Sequence, residues 1–140
     1  MFDPWEIVAA NSWLEIHHVR MPDGKPGATD GKSAIWLDDR LTHRERRCVL
    51  THELVHLKYG HCECQELKVE RRVCRETAHL LIPVTHLMER SRECNAGLEA
   101  LAEELEVTAH VLRDRIDSLS AVEYGMLRDC EAVISADVSW

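Results

Sequence analysis

Residues 42–61 read THRERRCVLTHELVHLKYGH, the stretch with the most regular signal in the chain. Thr42-His43-Arg44-Glu45 is a capping-box pattern, with a threonine for the N-cap and a glutamate three residues on to return the bond. The pattern predicts a helix from about Thr42 to Tyr59, which Gly60 ends. Within it, His52 and His56 are four residues apart, so they lie one turn apart on one face and both imidazoles point at a single ion. Glu53 is rotated from that line but stays within reach of a water on the same ion. Two neutral imidazoles with an oxygen ligand and an open position suit zinc (Zn2+). Such an ion lowers the pKa of its water toward about 7, and Glu53 is then placed to act as general base.

A third ligand is needed, and the next helix, expected over 65–81 and ended by Ile82-Pro83, offers one. Glu70, Val73, Cys74, Thr77 and Leu81 recur at helical spacing and form a mostly apolar face. A glutamate on that face is costly to bury unless it is paired or bound to a metal, which makes Glu70 the candidate ligand. Glu66 lies one turn earlier on the same line and is the alternative. Cys74 sits one turn after Glu70, where packing or support of a ligand is expected of it, although a thiolate there would also bind zinc. His17 and His18 are neighbours on an expected strand and so point to opposite faces. His43, His86 and His110 read as surface or capping residues, His79 adjoins the apolar stripe, and Tyr59 reads as a boundary aromatic.

Working outward, Asp3-Pro4-Trp5-Glu6 opens a short helix to about Asn11. Strands are expected over 14–20 and 33–37, forming a small antiparallel sheet. The Gly-, Pro- and Asp-rich stretch MPDGKPGATDGK at 21–32 reads as the loop between them. The strand over 33–37 is expected to offer an edge to an extended substrate segment. Beyond Pro83 shorter helices are expected over 84–89, 97–105, 109–116 and from Val122 to about Val133, with Thr108 capping the third and Ser120 with Glu123 boxing the last.

Composition narrows the function classes. A net charge of −8 argues against life on nucleic acid, and the excess is concentrated from Asn95 onward, where ten acidic residues face three basic ones. The span 101–116 has the length and turn of a helix-turn-helix, but Arg113 and Arg115 are opposed there by Asp114 and Asp117, so no direct nucleic-acid contact is expected. No apolar run spans a bilayer and the N-terminus MFDPWEIVAA lacks a secretory pattern, so a cytoplasmic protein with reduced cysteines is expected.

Two blocks carry a family resemblance. The first is Arg46-Arg47-Cys48-Val49-Leu50-Thr51 leading into His52-Glu53-Leu54-Val55-His56, with Gly60-His61 after it. The second is Glu70-Arg71-Arg72-Val73-Cys74-Arg75, ending in His79-Leu80-Leu81-Ile82-Pro83. Together they resemble the ImmA/IrrE metallopeptidases over roughly 33–116. In that family the second helix carries a ligand glutamate upstream of a Leu-Leu-Met-Pro-like end, which Glu70 and Leu80-Leu81-Ile82-Pro83 match. Cys74 stands where Asp or Asn is common, and Arg72 where many members have a second acidic residue. The resemblance implies an α+β, mostly helical, zincin-like metallopeptidase core at 1–90, with a small C-terminal helical segment at 91–140 packed on it. It also implies a zinc endopeptidase of phage or mobile-element type whose protein substrate is a DNA-binding, helix-turn-helix repressor. The competing expectation is a regulatory binding protein, an anti-repressor whose zinc site is structural or degenerate, with Cys62, Cys64 or Cys74 closing it.

Overall fold

A computed structural model describes residues 1–61, 65–94 and 96–128. The chain runs α1 (Pro4–Ala10), β1 (Glu15–Val19), β2 (Gly27–Thr29), β3 (Ala34–Asp38), α2 (His43–Lys58), α3 (Leu67–Leu81), α4 (Val84–Glu93), α5 (Leu98–Glu104), α6 (Ala109–Asp117) and α7 (Ala121–Leu127). Among the described residues, seven helices and a small sheet make an α+β fold.

Both ends of α2 follow from its sequence. The Glu45 amide donates to Thr42 Oγ1 at 3.2 Å, and the Thr42 amide donates to Glu45 Oε1 at 2.8 Å, which closes the capping box. At the other end Gly60 takes φ +71°, the left-handed conformation that glycine adopts without penalty. The Gly60 amide then donates to the Leu57 carbonyl at 3.1 Å and the His61 amide to the His56 carbonyl at 3.0 Å. This pair of bonds is a Schellman motif, and it folds His61 back over the last turn of the helix. Apolar residues of α2 serve two clusters. Leu50 packs with Leu14, Ile35 and Leu37 of the sheet layer. Cys48 joins the larger helical cluster with Ala78, Leu81, Leu101 and Leu112.

The sheet corrects the expectation of a purely antiparallel one. Its order is β1-β3-β2, with β1 parallel to β3 (Glu15 opposite Ala34) and β2 antiparallel to β3 (Gly27 opposite Leu37). Residues 20–26 carry the chain across the end of β3, so the strand that returns beside it antiparallel is β2, from within the stretch read as loop. The β2–β3 turn is built by Asp30, whose Oδ1 accepts from the amides of Lys32, Ser33 and Ala34 at 2.9, 2.9 and 3.0 Å. Those donors, led by Ala34, hold its carboxyl below the usual carboxylate range. Gly27 lets β2 lie close on α2: a Cβ there would come 2.7 Å from Val49 Cγ1 and 3.0 Å from the Trp36 carbonyl oxygen. A second correction follows. With β1 on one side and β2 on the other, β3 has no edge to offer, and the strand over 33–37 cannot pair with a substrate. The two histidines of β1 do point apart, His17 stacking on Trp36 and His18 on Trp5.

Three arginines, Arg47 and Arg115 buried and Arg44 partly so, tie the later helices to this frame. Arg47, 6% exposed, donates to the carbonyls of Glu106 and Phe2, each at 2.8 Å, and Arg44 reaches the Val107 carbonyl at 3.0 Å. Two guanidinium groups of α2 thus satisfy carbonyls at and just beyond the C-terminus of α5, where cations are favoured. Arg115 of α6, 2% exposed, donates to the Ile82 carbonyl and to Glu123 Oε2, both at 2.7 Å. Glu123 also completes the capping box of α7 with Ser120. Helix α4 runs to Glu93 rather than ending at Glu89, because Ser91 is buried one turn after the buried Leu87 on the same face. The expected continuation of α7 to Val133, together with Cys62, Cys64 and Cys130, lies outside the described residues. Among the described residues no helix is long and apolar enough to cross a membrane.

Candidate metal centre

His52 and His56 project from one face of α2, and Glu70 meets them from the first turn of α3. His52 Nε2 lies 3.4 Å from Glu70 Oε2, and His56 Nε2 lies 3.0 Å from Glu70 Oε1. One donor atom from each residue falls within 4.8 Å of the others. Two donors bound to one tetrahedral zinc at its usual bond lengths are roughly 3.3 Å apart, so the spacing fits such an ion. The donor chemistry fits as well. Burial pushes both imidazoles below their ordinary range, and keeps them in the neutral form that coordinates; the neighbouring His56 adds to the effect at His52, while the Glu70 carboxylate opposes it at both.

Glu53 is 7% exposed and its Oε2 is buried with no hydrogen-bond partner. A buried, unpartnered carboxylate oxygen is costly. It marks a place where a water or a cation belongs. Burial first, then the Glu70 charge, pushes the Glu53 carboxyl up to about 7, near the operating range of a general base. The pressing of β2 on α2 contributes, since a Cβ on Gly27 would touch Glu53 Cγ at 3.4 Å.

These residues line a cleft of about 460 Å³. All three residues of β2 line it too, as do His110, Val111 and Asp114 of α6. His110 is exposed, as its reading as a surface residue expects, and it also borders the cleft, where it lies 3.5 Å from Asp114; the second feature comes from the packing of α6 on α3. Glu66 stands exposed at the N-cap position of α3, without a side-chain capping bond and outside the donor cluster. Cys74 lines the cleft, but burial, aided by Asp114 and Glu70, pushes its thiol up to about 11. The cluster of donor atoms comprises His52, His56 and Glu70, and Cys74 stands outside it.

Tyr59 is half exposed; its hydroxyl donates to Glu76 Oε1 at 2.6 Å and its ring stacks on His61. His61 in turn sets its Nδ1 3.0 Å from His56 Nδ1. His79 lies away from the centre, against Arg115 and Ser118.

The family model of peptidase M78, the IrrE N-terminal-like domain, matches residues 15–117. The chain belongs to this family. For an IrrE N-terminal-like domain the match is well placed: it begins with β1 and ends with α6, and so contains every element that lines the cleft. No curated protein and no solved structure matches the chain. The family is one of metallopeptidases, and in this member His52, His56 and Glu70 lie close enough together to hold a metal ion.

Proposed function

We propose that the protein is a zinc-dependent endopeptidase, and that its substrate is a DNA-binding repressor of the helix-turn-helix type, from a phage or another mobile element. The observation that carries the catalytic part is the unpartnered Glu53 carboxylate beside the His52–His56–Glu70 donors at the base of an open cleft.

Zinc held by His52, His56 and Glu70 supplies Lewis acidity, lowering the pKa of water and polarising a peptide carbonyl. Glu53 then takes the proton of the attacking water on its free oxygen and passes it to the leaving amine. β2 ends the sheet beside this group, so its outer edge suits an extended substrate segment paired by main-chain hydrogen bonds. The repressor assignment draws on the family resemblance. The net charge of −8 agrees with a partner that is a protein, and with no direct DNA or membrane contact, in the cytoplasm. The alternative, an anti-repressor with a closed structural site, needs four protein ligands. Among the described residues the cluster offers three, and Cys74 stands outside it.

The test is metal content by mass spectrometry on purified wild type, Glu53→Gln and Glu70→Ala, followed by incubation with helix-turn-helix repressors. About one zinc per chain in wild type and in Glu53→Gln, less in Glu70→Ala, supports the open site. Two repressor fragments with wild type and none with Glu53→Gln support the peptidase. Wild type that takes up no zinc from metal-replete buffer overturns it in favour of a binding regulator.

A further inference from the structure

Two imidazole nitrogens face each other at the end of α2, His56 Nδ1 and His61 Nδ1, 3.0 Å apart. Between two such nitrogens one carries the hydrogen and the other the lone pair. His56 Nε2 faces the Glu70 carboxylate and the donor cluster. When Nε2 gives its lone pair to an ion, the ring proton sits on Nδ1, and the acceptor in line for it is His61 Nδ1. A ligand histidine is commonly fixed in this way by a carboxylate or a backbone carbonyl; here the partner is a second histidine.

His61 is itself held from three sides. The Schellman bonds bring its backbone over His56. The Tyr59 ring stacks on it with centroids 5.8 Å apart, and that ring is pinned by the 2.6 Å bond to Glu76. The β2–β3 turn closes the third side, where a Cβ on Gly31 would lie 2.9 Å from the Gly60 oxygen and 3.0 Å from His61 C and O. Such immobilisation suits a residue whose task is to fix another's orientation.

We propose that His61 is a positioning residue of the metal centre, which accepts from His56 Nδ1 and so fixes the tautomer and ring plane that present His56 Nε2 to the ion. The inference rests on the reading of His52, His56 and Glu70 as a metal site. His61 acts on the ion through His56 in this role.

The experiment is zinc affinity by competition with a chromophoric chelator, for the full-length wild type, His61→Phe and His61→Asn. Phenylalanine keeps a ring against Tyr59 but has no acceptor, whereas asparagine puts an amide oxygen close to where Nδ1 stood. His61→Phe should bind zinc about 10–100-fold more weakly, the usual effect of losing a ligand's outer partner, and His61→Asn should recover most of the loss. Urea unfolding of the three metal-free proteins should give matching midpoints, which separates positioning from a merely structural role. An unchanged affinity in His61→Phe, or His61→Asn as weak as His61→Phe, overturns the proposal. Wild type without measurable zinc affinity overturns the metal reading itself, and the same titration shows this before any variant is compared.

Discussion

Gly31 and Gly60 share nearly the same backbone conformation, φ +73° and +71°, in different surroundings, and alanine at each separates two costs. At Gly60 an added Cβ meets nothing within 4 Å. The penalty there is the left-handed conformation alone, about 1–2 kcal/mol, less about 0.4–1 kcal/mol because alanine also restricts the unfolded chain. At Gly31 the same terms apply, and the Cβ also meets three backbone atoms of Gly60 and His61 at 2.9–3.0 Å. Ordinary carbon contacts begin near roughly 3.5 Å. Backbone on both sides must therefore separate by about half an ångström, an overpacking cost of about 1–3 kcal/mol. Gly31→Ala should thus be less stable than Gly60→Ala by about 1–3 kcal/mol, or a midpoint roughly 1 M lower in urea for a chain of this size. Urea unfolding of the metal-free proteins, followed by tryptophan fluorescence, measures the difference directly. Equal midpoints for the two variants would show that the turn does not bear on His61, and would remove one of the supports given to that residue. If the contact is real, Gly31→Ala should also bind zinc more weakly than Gly60→Ala, because it displaces the partner of His56.

Arg115→Ala should cost about 3–5 kcal/mol, since it strands the buried Ile82 carbonyl and the Glu123 carboxylate, and a double variant with Glu123→Ala should lose less than the sum of the single losses. Additive losses would refute that coupling. Arg115 also holds the Glu123 carboxyl down to about 2, below the ordinary 4.5 of a glutamate. The stabilisation is therefore complete above pH about 4.5 and is lost as the pH falls toward about 2, and Glu123→Gln should flatten that part of a stability–pH curve; an unchanged curve counts against the pair. Zinc at about a thousand times its dissociation constant should raise stability by about 4 kcal/mol, reversed by a chelator. A thermal shift of equal size in Glu70→Ala would remove Glu70 from the ligand set.

The parts of the fold that were legible in sequence are those whose causes are local. The capping box of Thr42 and Glu45, the stop at Gly60 and the box of Ser120 and Glu123 are each written within a few residues, and the helices begin and end beside them. Glu70 was visible because a carboxylate on the apolar face of α3 needed a reason to be there. The sheet was not legible. The three residues of β2, beginning with Gly27 and preceded by Pro26, carry too little pattern to announce a strand, although Asp30-Gly31 between short apolar stretches is a hairpin signal in its own right. The parallel pairing of β1 with β3 depends on how residues 20–26 cross the end of β3, which no period of two encodes. At the site, the His61–His56 contact was implicit in a glycine just past the end of the helix, because a Schellman turn returns the second residue after the cap to the last turn. The place of His110 could come only from the docking of α6.

All three donors lie between positions 52 and 70, on two consecutive helices. The cleft above them draws its walls from residues 27–29 and 108–114, far away along the chain in both directions. Contacts between neighbouring elements close early and at small entropic cost, whereas distant ones must await the docking of whole segments. A folding chain is therefore expected to assemble the α2–α3 hairpin that carries the three donors before the cleft above them. An ion captured at that stage would clip α2 to α3 while the sheet and α6 are still undocked. Metal capture by the helix pair can therefore precede the docking of the two remote walls, and the β2–β3 turn then tightens the centre by closing on His61.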